Sequence, residues 1–325
     1  MTRTIIPNVS MTITWTTIVG AIEGVLRSLD DPRPTHELMG MTGHAFRLAL
    51  TEQNGVVAAG SAAAAADFAR VLPLYRNTGR AFALIEASPA DRGYTKLREK
   101  AIKQIRKSIS RRRPVVAFDL HLPEFGIVFG YDDRMHTLEV SSLMSSQYGA
   151  TLAESRWPVP EQEQRLIVLV TGKEQRIERA RAERDALRFA LDYAAHGDPG
   201  DPTRAAHGLT AFARWRAAFE QGREIDPAGN ARIIQTVQTA RRDAARFLRE
   251  NVAGTIPAAA SDAAVAATAY DRVALAFSRM ATLFPYPAGG DVTGAAGRLV
   301  ALAALREAEE HERAALYAIE SIYSR

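Results

Sequence analysis

One feature constrains this chain more than any other: apolar runs of strand length occur up to about residue 172 and stop there. Short apolar runs bounded by turn residues suit an antiparallel sheet, whereas sustained three-to-four spacing suits packed helices. Before the change the two patterns mix. Residues 16–29 put Ile18, Ile22, Val25 and Leu29 on one helical face, with Thr16 or Thr17 at the cap and the run DDPRP as the stop. Residues 61–76 read as an alanine-rich helix closed by Asn77-Thr78-Gly79, and residues 81–88 as a strand. Residues 95–110 read as a basic helix with Ile102, Ile105 and Ile109 as its buried stripe. Strands are expected at 115–120, 125–133, 136–142 and 165–172, the middle two joined by a two-residue turn at Asp133-Arg134. After Lys173 helices are expected at 174–195, 204–221, 230–250, 258–283 and 291–323, separated by Pro/Gly clusters that end helices. Phe212, Trp215, Phe219, Phe247 and Leu248 are their core candidates. The expected architecture is α+β over residues 1–172, followed by an all-α bundle over 173–325.

A chain of 325 residues is long enough to bury a core in each half. It contains no cysteine, which removes disulfides, thiolate metal sites and every cysteine nucleophile. The first twenty residues make a poor secretory segment and no window suits a membrane span, so a cytoplasmic protein is expected. The formal charge of +4 conceals a local excess. Between Lys96 and Arg113 nine basic residues face one acid, Glu99, so the rest of the chain is net acidic. Lys96, Lys100, Lys103 and Lys107 share one helical face, which points to an anionic partner or to a solvated helix face. No aromatic residue interleaves with these charges, so base stacking is not expected.

The usual catalytic signatures are missing. There is no HExxH, Walker A loop, G-x-S-x-G elbow or strand-flanked G-x-G-x-x-G. Glu307 and His311 lie one turn apart but belong to no Glu-x-x-His motif, so neither a metal nor a cofactor is expected. The glycines of residues 290–299 have no strand before them, and Asp291 reads as a helix cap.

Three stretches carry a resemblance to a known family. Helix 17–29 runs into ELMGMTGHAFRL (37–48); IRKSISRRRPVVAFDL (105–120) reads as an amphipathic helix, a turn and a central strand; PEFGIVFGYDD (123–133) ends in Gly-Tyr-Asp. In this order they resemble papain-like cysteine peptidases that cut double-glycine leader peptides. More closely, they resemble the N-terminal domain of the butirosin-biosynthesis acyltransferase family. The resemblance covers about half the chain and implies a papain-like fold with a cleft.

It also implies three reactive positions, and none holds the family's residue type. Thr17 stands where the nucleophilic cysteine belongs, Glu124 where the histidine belongs, and Ser141 or Ser142 where the third member falls. His121, three residues before Glu124, is expected on the other face of an extended chain. Two readings follow. In one, the domain is catalytically degenerate and binds a small molecule or peptide in the relic cleft, lined by Trp15, His121, Phe125 and Tyr131. In the other, Thr17 or Ser142 is the nucleophile, or Glu124 the general base, of acyl or amide transfer or hydrolysis without cysteine; a carboxylate at its ordinary pKa is a weak base for a hydroxyl. A third possibility is a partner-binding scaffold built on the bundle, with a homodimer as one form. Strand alternation predicts Phe125, Ile127, Phe129 and Tyr131 on the core face, and Glu124 emerging beside the start of helix 16–29.

Overall fold

The computed structural model describes residues 3–158 and 165–323. The chain divides into two compact units, residues 1–35 with 78–176 and residues 36–77 with 177–325. In chain order, the first unit opens with β1 (Arg3–Ile5) and α1 (Thr17–Arg27). The chain then passes through α2 (Thr35–Met41), β2 (Ala49–Leu50) and α3 (Phe68–Tyr75). It returns to the first unit with β3 (Arg80–Ala87), α4 (Tyr94–Ile109), β4 (Val115–Phe118) and β5 (Phe125–Asp132). That unit closes with β6 (Thr137–Ser141), β7 (Thr151–Ala153) and β8 (Leu166–Glu174). The rest is helical but for one short strand: α5 (Arg179–His196), β9 (Ala206–His207), α6 (Gly208–Gln221), α7 (Pro227–Phe247), α8 (Ala260–Leu283) and α9 (Ala295–Tyr323). The protein is therefore mixed α+β, with an antiparallel sheet and a C-terminal helical region.

In the first unit, the described strands of the main sheet run in the order β3-β8-β4-β5-β6-β7, and β1 pairs with β5; every pairing is antiparallel. Helix α1 is buried along almost its whole length because two glycines let the preceding segment cross it closely. A Cβ on Gly20 would stand 2.1 Å from the Thr12 carbonyl oxygen, and one on Gly24 would stand 2.3 Å from that of Ser10. Helix α4 is amphipathic as its spacing predicts: Ile105 and Ile109 are buried, Ile102 is half-buried, and Lys96, Lys100, Lys103 and Lys107 are exposed.

The expected alternation along β5 breaks at a bulge between Val128 and Gly130. Ile127 points at Gly24 of α1, whereas the Tyr131 hydroxyl lies 3.1 Å from Ser110 Oγ at the end of α4. One extra residue shifts the faces, so Phe125 and Ile127 do not share a side with Tyr131. The β5–β6 loop is also longer than two residues: Asp132 pairs with Thr137, and its Oδ1 accepts from the N–H groups of Arg134 and Met135 at 2.8 and 3.1 Å.

The second unit departs from the expected partition because residues 36–77 are tied into it. Strand β2 pairs with β9, the Tyr193 hydroxyl donates to the Leu48 carbonyl at 2.8 Å, and the Gly208 N–H donates to the same oxygen at 3.0 Å. Arg241 on α7 donates Nε and Nη2 to the Glu312 carboxylate of α9 at 2.7 and 2.8 Å. Its Nη1 reaches the carbonyls of Ala45 and Arg47 at 2.8 and 3.1 Å. A buried guanidinium finds enough acceptors here to offset its desolvation. The alanine tract does not form one helix. Ser61 Oγ accepts from the Ala63 N–H and Asp67 Oδ1 from the Arg70 N–H, so two capping residues split it into a short turn and α3. Phe212, Trp215, Phe219, Phe247 and Leu248 are all buried. No helix among the described residues is long and apolar enough to cross a membrane.

Candidate functional site

The reactive side chains gather where β4 turns into β5 beside the start of α1. Strand β4 ends at Phe118, whose carbonyl accepts the Trp157 indole N–H at 2.9 Å. Asp119 then adopts a left-handed φ of 62°, a conformation that aspartate tolerates better than most residues. Its N–H donates to the Glu124 carbonyl at 2.9 Å, and the Glu124 N–H donates to the Leu122 carbonyl at 2.7 Å. Residues 119–124 thus fold back on themselves as a loop and do not run on as a strand.

That loop brings Glu124 to Thr17. The Thr17 hydroxyl donates to Glu124 Oε2 at 2.6 Å and accepts the Phe125 N–H at 3.2 Å. Thr17 is 2% exposed and Glu124 4%. Thr17 is the first residue of α1, so the carboxylate stands at the positive end of the helix dipole. Thr16 occupies the N-cap, but its side chain makes no capping bond. The hydroxyl has its proton committed to the carboxylate and a lone pair committed to the backbone, and solvent does not reach it.

A second pair lies on the accessible side. His121 Nδ1 is 2.8 Å from Ser142 Oγ, and both residues are only partly buried. Ser142 Oγ accepts from the Met144 N–H at 3.2 Å and lies 3.3 Å from Ser145 Oγ. Ser145 Oγ in turn accepts the Ser142 N–H at 2.8 Å. The Tyr148 ring, more than half exposed, stands 5.8 Å from the His121 imidazole. Burial holds His121 below the usual histidine range, so the imidazole is neutral at pH 7 and able to accept the Ser142 proton. Nearby, burial raises the Tyr94 hydroxyl above its ordinary pKa; Arg98 opposes the rise and Asp119 adds to it.

Of the residues singled out from sequence, Thr17 and Glu124 form one contact, and His121 and Ser142 form another. Placing His121 on the opposite face from Glu124 assumed an extended chain, and the loop at 119–124 removes that premise. Phe125 is fully buried with its ring 5.1 Å from Phe118, and Tyr131 is 7% exposed with the Arg106 guanidinium 5.8 Å from its ring. Both are core positions and do not line a cleft. Trp15 is half-buried before α1. Asp119, Ser145 and Tyr148 are not among the residues singled out from sequence, although the serines of 141–146 are a visible sign of a loop. Among the described residues, no group of three histidine or acidic side chains converges as a metal site. No protein-family model and no curated protein matches the chain.

Proposed function

We infer that the first unit is a binding module on a papain-like frame whose reactive centre has become structural, and that its ligand is a small molecule or peptide. The reading rests on one observation: Thr17 and Glu124, at the nucleophile and base positions of that frame, are hydrogen-bonded to each other in the interior. A nucleophile and its base need a hydrogen bond of this kind, but they must also reach a substrate, and at 2% and 4% exposure neither side chain does. The frame itself is supported by a helix N-terminus meeting the first residues of a central antiparallel strand. The exposed Tyr148 and the partly buried His121 and Ser142 offer a ring, an imidazole and hydroxyls to a ligand, a combination common in binding sites.

The test is a thermal-shift screen of a fragment and dipeptide library, repeated on two variants. Tyr148→Ala is expected to abolish the shifts given by hits while leaving the apo Tm within about 1 °C. Glu124→Gln is expected to lower the apo Tm and leave those shifts intact. Hits that survive Tyr148→Ala but vanish with Glu124→Gln would overturn the reading.

The His121–Ser142 contact favours a second reading, acyl transfer or hydrolysis with Ser142 as nucleophile and His121 as base. A fluorophosphonate probe distinguishes the two. The binding reading predicts no adduct on Ser142 by intact-mass and peptide analysis. An adduct that disappears in His121→Ala would establish the catalytic pair.

A further inference from the structure

The basic helix ends in a small pocket. Helix α4 carries Lys96, Lys100, Lys103 and Lys107 along its exposed face, and one turn further stands the exposed Arg111. At its C-terminal end Gln104, Lys107, Arg111 and Arg113 join Val170 and Thr171 of β8 around a cavity of about 100 Å³. Ser108 also lines it, but its hydroxyl is committed to the Arg113 carbonyl at 2.9 Å, as the Thr171 hydroxyl is to Pro114 at 2.5 Å. The cations are left to face outward.

Two alternative uses for these charges are already met elsewhere. Glu154 and Asp133, near the helix, are taken by Arg106 at 2.6 and 3.5 Å, and Glu99, the exposed acid on α4 itself, forms no ion pair among the described residues. Among the described residues, no ion pair engages Lys96, Lys100, Lys103, Lys107, Arg111, Arg112 or Arg113. A helix C-terminus attracts cations to its open carbonyls. Here the Arg112 N–H closes on the Ile109 carbonyl at 2.8 Å and the Arg113 N–H on that of Ser108 at 3.1 Å. Backbone N–H groups fill those acceptors, and the guanidiniums do not. Arg112 makes this closure with a φ of 56°, a left-handed position that glycine occupies without strain.

We propose that this end of α4 with β8 binds phosphate, and that the lysine row receives further phosphates of the same ligand, a linear phosphate chain. Guanidinium groups pair with phosphate in a forked geometry, and lysines act as point charges at neighbouring phosphates. Successive side chains one turn apart are about 5–6 Å from each other, so the row follows an extended chain of charges. The face has no aromatic side chain for stacking, so the grip is on phosphate and indifferent to base sequence. This inference does not depend on the reading of the Thr17–Glu124 region. Nucleic-acid backbone and free polyphosphate share the chemistry.

The test is fluorescence anisotropy of a labelled 20-nucleotide single strand of mixed sequence, with inorganic polyphosphate as competitor, from 50 to 200 mM salt. Binding is expected at 50 mM salt with an affinity that falls steeply as salt rises, and polyphosphate is expected to compete. Displacement at equal phosphate concentration would identify backbone recognition alone; weak strand binding with tight polyphosphate binding would identify the free polymer; either supports the proposal. Lys100→Glu/Lys103→Glu/Lys107→Glu is expected to weaken binding at least 10-fold and to flatten the log–log salt slope by about 2, since each single-strand phosphate contact contributes about 0.7. The milder Lys100→Gln/Lys103→Gln/Lys107→Gln and Arg111→Ser/Arg113→Ser, with unchanged Tm, are expected to weaken it severalfold. No binding of either phosphate polymer at 50 mM salt would overturn the proposal. So would unaltered binding by the variants, or polyglutamate or phosphatidylserine vesicles competing as well as polyphosphate.

Discussion

Each unit contains a histidine hydrogen-bonded to a hydroxyl, and the two pairs differ in one respect. In the second unit, His207 Nδ1 lies 2.8 Å from the Tyr193 hydroxyl and His207 Nε2 lies 3.0 Å from Asp201 Oδ2. On distances alone this acid–imidazole–hydroxyl chain looks like a relay. Yet all three residues are buried, the hydroxyl is spent on the Leu48 carbonyl, and burial pushes the tyrosine up to about 12. In the first unit, His121 and Ser142 form a looser arrangement that keeps partial access to solvent. Hydrogen-bond geometry therefore does not separate a site from a structural fastening; accessibility of the reactive atom does. By that criterion Thr17–Glu124 belongs with Tyr193–His207–Asp201, and of these three arrangements His121–Ser142 is the one open to a ligand.

The largest effect expected is in the second unit. Arg241→Ala strands the Glu312 carboxylate in the interior and frees two loop carbonyls, so it should cost about 3–5 kcal/mol in chemical denaturation. A loss below about 1 kcal/mol would break the view that this unit is held by interior charge. Thr17→Val keeps the side-chain volume but leaves Glu124 and the Phe125 N–H without their shared hydroxyl; about 2 kcal/mol should be lost. An unchanged denaturation midpoint would put Thr17 back among candidate nucleophiles.

A smaller effect is expected from pH. Burial, helped by the charge of Arg47, lowers His44 to about 3, and its Nε2 lies 3.1 Å from the Tyr75 hydroxyl. The folded form resists protonation that the unfolded chain accepts near pH 6.5, so between those values the unfolded state binds more protons. This contribution to stability is full above pH 6.5 and is lost as pH falls. A wholly enclosed ring would contribute about 2 kcal/mol between pH 6.5 and 5, but part of this one reaches the surface, and about 1 kcal/mol is expected. His44→Asn should remove that slope; an identical pH profile in the variant would rule His44 out as its source. Ser142→Ala should change stability by less than about 0.5 kcal/mol, as fits a rim position. A loss comparable to that of Thr17→Val would erase the distinction between the two pairs.

Much of the fold was legible because it is local. Periodicity located α1, α4, the five longer strands and the five long helices, each within a few residues or a turn. What it missed depends on partners far away in the chain. Nothing near residues 36–77 announces that Leu48 and Ala45 will be bound by Tyr193, Gly208 and Arg241. The strand at Ala206–His207 is two residues long and exists only through its pairing with Ala49–Leu50. At the candidate site, the resemblance puts Thr17 and Glu124 at neighbouring reactive positions, and helix polarity suits a carboxylate at the start of α1. His121–Ser142 was missed because face alternation was applied past Phe118, where the left-handed Asp119 ends the strand.

The central claim is that Thr17 and Glu124 fasten α1 to β5 through each other. A double-mutant cycle on Thr17→Val and Glu124→Gln, read by urea denaturation, tests it directly. The account predicts a coupling energy of about 1–2 kcal/mol between the two positions, as expected for groups sharing one buried hydrogen bond. Additive losses, with no coupling beyond a few tenths of a kcal/mol, would contradict it.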